Sequence, residues 1–71
     1  MNISDFTKPE LEHYRELCNF VNSERDVFEF RSQGLSLEEI AEILDMSVDG
    51  AKKVSRKVNK KIIVVNTLIG H

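Results

Sequence analysis

Residues 47–62, "SVDGAKKVSRKVNKKI", contain the pattern that most restricts how this chain can fold. Ala51, Val54, Val58 and Ile62 follow one another at intervals of three, four and four residues. In an α-helix this spacing places them on a single face, and the opposite face then carries most of the basic side chains. The basic residues of this segment are Lys52, Lys53, Arg56, Lys57, Lys60 and Lys61. The sequence therefore predicts an amphipathic helix over 48–61, with one face in a core and the other in solvent.

Charge is segregated along the chain to a degree that the formal net charge of −2 conceals. Residues 1–49 contain all twelve acidic residues and four basic ones, a balance of −8, whereas residues 50–71 contain six basic residues and no acidic one. The position of such a charged patch matters more for binding than the overall charge does. The basic helix is therefore the segment that would attract a polyanion, and the acidic remainder would repel one.

Two capping boxes mark the beginnings of earlier helices. Thr7 precedes Glu10 by three residues, and Ser36 precedes Glu39 by the same distance. In this motif the hydroxyl accepts a hydrogen bond from the glutamate amide, and the glutamate carboxylate accepts one from the cap amide. Apolar residues at helical spacing follow each box. The two predicted helices span 8–20 and 37–44.

A further helix is predicted between these two, over 23–33. Asn22 or Ser23 is placed to cap its first turn, and Gly34 is placed to end it. Two short helices joined by a tight turn, the second of them basic on its outer face, form a helix-turn-helix unit. We therefore expect an all-α fold: a single small helix-turn-helix domain of four helices spanning residues 1–71.

The last ten residues, "IIVVNTLIGH", break the helical pattern with four consecutive β-branched residues. This composition predicts a strand or a buried apolar segment over 62–71. Two arrangements remain open: the tail folds back on the helix at 8–20, or it pairs with the same segment of a second chain in a homodimer. The candidate dimerisation residues are Ile63, Val64, Val65, Leu68 and Ile69.

The segment from Glu24 to Ile62, "ERDVFEFRSQGLSLEEIAEILDMSVDGAKKVSRKVNKKI", resembles the DNA-binding domain of LuxR-type regulators. It is similar, slightly less closely, to the region-four promoter-reading domain of bacterial sigma factors. The matching residues are Glu24, Val27, Phe28, Gly34, Ser36, Glu39, Ile40, Ala41, Leu44, Ser47, Lys52, Val58 and the closing "KKI". The resemblance implies a tetra-helical fold whose helix at 48–61 enters the major groove of double-stranded DNA.

The chain departs from the LuxR-type pattern at several positions. Val21 stands where a capping threonine is usual, and Asp45 stands where the turn often has glycine. Gly50 and Ala51 replace a usual threonine and valine. No segment resembles a receiver or an autoinducer-binding domain, which puts regulation by phosphorylation or by a small signal in doubt.

The basic helix divides into two sets of candidate DNA-binding residues. The N-terminal part of a recognition helix meets base edges, and its candidates are Ser47, Asp49, Lys52 and Lys53. The C-terminal part would contact phosphates, and its candidates are Arg56, Lys57, Lys60 and Lys61. Lys53 and Arg56 are the better candidates for contacting guanine. Each assignment has an alternative. The basic face is merely solvated, and Asp49 only stabilises the positive N-terminus of the helix dipole. Gly50 either allows close approach of a phosphate or a neighbouring backbone, or only weakens the helix.

The expected function is a sequence-specific transcriptional regulator, a dimeric repressor or autorepressor of the kind that phages and mobile elements encode. Repression requires only that a promoter be occupied, and no activation domain is visible. The alternative is a protein-interaction module of the same fold: a sigma-like subunit, or a phage or mobile-element inhibitor. In that case the acidic scaffold would dock a protein partner.

Other classes of protein lack support in the sequence. There is no nucleophile–base constellation, no glycine-rich phosphate loop and no cluster of metal ligands, so we expect no enzyme activity, no cofactor and no metal. No apolar run approaches the roughly 20 residues that cross a bilayer, and the first residues lack the order of a signal peptide. The single cysteine cannot form a disulfide within the chain, so the sequence gives no reason to expect an oxidising compartment. These features predict a cytoplasmic protein.

Overall fold

The computed structural model describes residues 3–68, which form a short 3₁₀ turn and four α-helices. The turn spans Ile3–Asp5, and the helices are α1 (Lys8–Leu17), α2 (Ser23–Ser32), α3 (Leu37–Ile43) and α4 (Val48–Leu68). Residues 3–68 contain no β-strand. The predicted all-α fold is confirmed.

Both capping boxes form, and they set where α1 and α3 begin. The Thr7 amide donates to the Glu10 carboxylate over 2.9 Å, and the Glu10 amide donates to the Thr7 hydroxyl over 3.4 Å. At α3 the equivalent distances, for Ser36 and Glu39, are 3.1 and 3.2 Å. Each box satisfies two amide groups that a helix N-terminus leaves without a partner.

The connection between α1 and α2 differs from the prediction. Helix α1 ends at Leu17 rather than at residue 20, because Asn19 adopts the left-handed backbone conformation, with φ of 50°. The side chain of Asn22 forms no capping bond, although this residue precedes α2. The carboxylate of Glu24 instead bonds back to the chain before the helix, where it accepts a hydrogen bond from the Val21 amide over 3.2 Å. At the other end of α2, Gly34 has φ of 88° and ends the helix as predicted.

The core lies where α4 crosses the other helices. Helix α4 packs against α1, α2 and α3, and the 3₁₀ turn packs against α2. Phe20, from the loop after α1, lies against Phe28 with 4.7 Å between the ring centroids. The largest fully buried side chains are Phe28, Ile40, Ile62, Val27 and Val58. Two of these belong to α4, so burial of that helix's apolar face holds the domain together.

The C-terminal segment is helical as far as Leu68, so the predicted strand at 62–71 is wrong over 62–68. Ile62 and Val65 are buried, and they continue the interval of three or four residues that begins at Ala51. The Tyr14 hydroxyl donates to the Asn66 side-chain oxygen over 2.6 Å and ties this end of α4 to α1. β-branched residues favour strands chiefly where they can pack on a pleated surface, and here they pack against helices instead. As far as Asn66 this segment therefore packs against α1, which is the first of the two arrangements left open above.

Candidate nucleic-acid interface

The turn between α3 and α4 orients the basic helix. Asp45 adopts φ of 54°. Glycine takes this left-handed conformation without strain, and aspartate tolerates it better than most residues do. The Met46 amide then donates to the carbonyl of Ala41 over 2.9 Å. Aspartate at the position where the LuxR-type pattern often has glycine is therefore compatible with the same tight turn.

Ser47 caps α4, as predicted. Its hydroxyl oxygen accepts a hydrogen bond from the Gly50 amide over 3.0 Å. Ser47 and Asp49 are both exposed at this end of the helix. A capping hydroxyl that accepts one bond still has its own proton to donate, so Ser47 keeps the capacity to bond a base edge or a phosphate.

The predicted division of α4 into two faces is confirmed. Ala51, Ser55 and Val58 are buried, whereas the cations on the other side are exposed. The exposed cations are Lys52, Lys53, Arg56, Lys57 and Lys60. No hydrogen bond or ion pair to another residue in the described range 3–68 engages any of their side chains. Their charge is thus free to meet an external anion.

Lys61 differs from the other five cations because its ammonium group is engaged inside the protein. It donates to the Glu24 carboxylate over 2.5 Å and to the Asn19 carbonyl over 3.2 Å. Glu24 is only 9% exposed, and the hydrogen bond from Lys61 is the main cause that lowers the pKa of its carboxyl group. Lys61 therefore joins α4 to α2 and to the loop before it, and we remove it from the predicted set of phosphate contacts.

Val48 was absent from the predicted site residues, yet it lies among them. It is 36% exposed in the first turn of α4, between Ser47 and Asp49. It precedes Lys52 by one helical turn and so shares its face. Apolar side chains at such positions can contact the methyl group of thymine. The signal for it in the sequence is its spacing of four residues from Lys52.

The candidate dimerisation residues do not share one surface. Val65 is 8% exposed and belongs to the core, so its assignment to a dimer contact is wrong. Ile63 and Val64 are 55% and 48% exposed. The placement of the Leu68 side chain and of Ile69 lies outside what the structure describes. Any contact between copies through the described part of this segment would therefore depend on Ile63 and Val64.

The acidic scaffold presents an apolar residue of its own on α3. Ile43 is 55% exposed, and exposed Glu39 and Glu42 lie on the same helix. Over residues 3–68 no group of three histidine, cysteine, aspartate or glutamate side chains is arranged to hold a metal ion. Within the same range, no helix has both the length and the apolar character needed to span a bilayer.

Comparison of the chain with protein-family models, with curated proteins and with solved structures gives no match. The resemblance to LuxR-type and sigma region-four domains therefore stays a prediction drawn from the matching residues.

Proposed function

We propose that this protein is a sequence-specific DNA-binding transcriptional regulator that inserts the N-terminal half of α4 into the major groove. One observation carries the proposal: five exposed cations, none of them in a hydrogen bond or ion pair with residues 3–68, lie along a helix whose other face is anchored in the core. A solvated helix surface usually mixes charges of both signs, whereas α4 has no acidic residue after Asp49. The anchored face fixes the direction in which the cations point.

The order of residues along α4 suggests a division of roles. Ser47, Val48, Lys52 and Lys53 lie near the N-terminus, where a recognition helix meets base edges. The remaining exposed cations, Arg56, Lys57 and Lys60, would bind phosphate oxygens. Asp49 more readily stabilises the positive end of the helix dipole than reads a base. The acidic scaffold would repel DNA from other directions and thereby limit docking to this face.

The resemblance to LuxR-type domains supports the class of regulator that we propose. Occupancy of a promoter is enough for repression, so a dimeric repressor or autorepressor acting in the cytoplasm is the simplest form of the proposal. Two copies would place two recognition helices against half-sites about one helical turn apart. Of the two candidate contacts that stay exposed, Ile63 is more exposed than Val64, and we propose Ile63 as the contact between copies.

Fluorescence anisotropy with labelled duplexes, measured over a range of salt concentrations, tests DNA binding directly. Neutralisation of three phosphates by Arg56, Lys57 and Lys60 would give a slope of about −3 for log K against log salt. Lys60→Ala should weaken all sequences alike and make the slope shallower by about one unit. Lys53→Ala should instead reduce the preference for the best site chosen from random DNA.

Absence of binding at low salt, or binding without a salt dependence, would refute the proposal. Binding-site selection from random DNA should also yield two half-sites if the protein acts as a dimer. A single half-site together with a monomeric mass in sedimentation would reject the dimer while leaving DNA recognition in place.

A second candidate function is a protein-interaction module, and exposed Ile43 on acidic α3 favours it. An apolar residue surrounded by carboxylates suits a partner with an apolar pocket and a basic rim. The resemblance to sigma region four makes bacterial RNA polymerase the first partner to test. If this function holds, Ile43→Ser should weaken binding to the purified enzyme, while Lys53→Ala should not.

A further inference from the structure

A groove of about 440 Å³ lies beside the basic face of α4, next to the C-terminal end of α1. Its volume is within the range of sites that bind small molecules. It is separate from the N-terminal turn of α4, which we propose reads bases. The residues that line it are Leu17, Cys18, Glu24, Lys57, Lys60, Lys61, Val64 and Val65.

The floor of the groove is apolar. Cys18 and Val65 are buried at its base, whereas Leu17 and Val64 are 47% and 48% exposed. Small-molecule sites are concave and lined mainly by apolar side chains, and this groove has both features. An occupant with a hydrocarbon chain would remove both of these side chains from water.

The rim of the groove is positively charged. Lys61 and Glu24, which both line the groove, form an ion pair, so their opposite charges cancel. Lys57 attracts Glu24 at longer range, and Lys60 has no hydrogen-bonding or ionic partner among residues 3–68. Three lysines against one carboxylate leave the groove cationic, so the charge favours an anionic occupant.

This charge distribution argues against two other occupants. A second copy placed on the groove by a two-fold axis would bring the lysine rims of the two chains together, because an isologous contact repeats the same patch. A helical peptide would need a long furrow with successive pockets for anchors one turn apart. One short depression with a cationic edge fits neither.

We propose that this groove binds an anionic amphiphile of the fatty-acid class, with the acyl chain against Leu17 and Val64 and the carboxylate at Lys60 and Lys57. The regulatory consequence rests on the proposed function, since both lysines are also candidate phosphate contacts. A bound carboxylate would neutralise them, so occupancy would lower the affinity for DNA.

Binding is measured on the protein alone, so that its result does not depend on DNA recognition. Dodecanoate is titrated below its critical micelle concentration by calorimetry, with dodecyltrimethylammonium, which has the same chain and the opposite charge, as the control. We expect saturable binding of dodecanoate and no saturable binding of the cationic control.

Two matched pairs of variants locate the site. Val64→Ser should weaken dodecanoate binding about tenfold, because contact with a valine side chain is lost. Ile63→Ser is its control, since Ile63 is equally apolar and exposed but does not line the groove. Lys60→Gln should weaken binding about threefold, as expected for one exposed ion pair, and Lys52→Gln should not.

Four results would overturn the proposal. The first two are that dodecanoate shows no saturable binding, and that dodecyltrimethylammonium binds as well as dodecanoate does. The third is that Val64→Ser and Ile63→Ser reduce the affinity for dodecanoate equally. The fourth is that Val64→Ser, but not Ile63→Ser, dissociates a dimer. The last result would show that a second copy occupies the groove. Release of labelled DNA by dodecanoate is then a separate measurement: ligand binding without release refutes only the regulatory consequence.

Discussion

Lys60 and Lys61 are adjacent lysines for which the structure predicts opposite consequences of substitution. Lys60 is exposed and unpaired within residues 3–68, whereas Lys61 donates to the buried carboxylate of Glu24. Replacing Lys61 by glutamine removes the positive charge but keeps a polar side chain of similar length. We predict that Lys61→Gln destabilises the fold and that Lys60→Gln does not.

The expected loss follows from the exposure of the two partners. Their side chains are 33% exposed for Lys61 and 11% for Glu24. Removing one partner of a fully buried ion pair costs about 3–5 kcal/mol, whereas an exposed pair contributes less than about 1 kcal/mol. Solvent screens the partly exposed lysine, so we expect a loss of about 1–2 kcal/mol in the free energy of unfolding. In a domain of this size that is a decrease of roughly 5–15 °C in Tm.

The pH dependence provides a second measurement of the same interaction. Lys61 lowers the pKa of Glu24 from its ordinary value of 4.5. A depressed folded-state pKa contributes stability above the unfolded value, and this contribution is lost as the pH falls through the folded value. The difference in Tm between the wild type and Lys61→Gln should therefore be full at neutral pH and shrink below about pH 4.5.

Urea denaturation and thermal denaturation, both followed by circular dichroism, measure the free energy of unfolding and Tm. Lys60→Gln is the control that should unfold with the wild type. In DNA binding the order should reverse, because only Lys60→Gln should make the salt slope shallower. A loss of less than about 0.3 kcal/mol for Lys61→Gln would refute the structural role assigned to the pair. A difference in Tm that persists unchanged in acid would refute it as well.

Three further predictions concern other parts of the fold. Tyr14→Phe removes the hydrogen bond to Asn66, and it should cost about 1 kcal/mol, with faster amide exchange at the end of α4 as the measurement. Ile62→Ala should cost about 2–5 kcal/mol in urea denaturation, because this side chain is fully buried. Exposed Ile63→Ala should change the stability by less than about 1 kcal/mol, and equal losses for the two variants would contradict the helical register. Gly50→Ala should raise stability by roughly 1 kcal/mol in the same assay, because alanine favours a helix more than glycine does. The nearest atom to an added Cβ would be the rotatable Ser47 hydroxyl oxygen at 3.2 Å, so a loss of stability would show that the α4 cap was displaced.

The beginnings of α1, α3 and α4 could be predicted because each depends on residues close together in sequence. A hydroxyl that caps an amide three residues later requires no tertiary contact, and the bonds at Thr7, Ser36 and Ser47 form as expected. Helix α2 also begins at Ser23, as predicted, but the hydrogen bond formed at its start could not be predicted in the same way. The side chain of Asn22 forms no capping bond, and the carboxylate of Glu24 bonds the Val21 amide instead. Lys61, from a distant part of the chain, also bonds this carboxylate.

The end of α4 was predicted wrongly because local composition and tertiary packing compete there. Four β-branched residues favour a strand when considered alone. In the folded protein, Ile62 and Val65 gain more by continuing the buried stripe of the helix, and Tyr14 bonds Asn66 from 52 residues away. This stabilisation depends on where α1 lies in the fold, and no local sequence pattern predicts that position.

The sequence by itself determined which face of α4 is buried and which carries the cations, because helical periodicity assigns each side chain its direction before any partner is known. Tertiary structure alone decided which cations stay available. Lys61 meets Glu24 across 37 residues of sequence, whereas Lys60, its neighbour, meets solvent. The crossing of α4 over α2 makes this distinction, because it brings Lys61 to Glu24. The same crossing leaves Val64 half exposed beside Leu17 and so creates the groove.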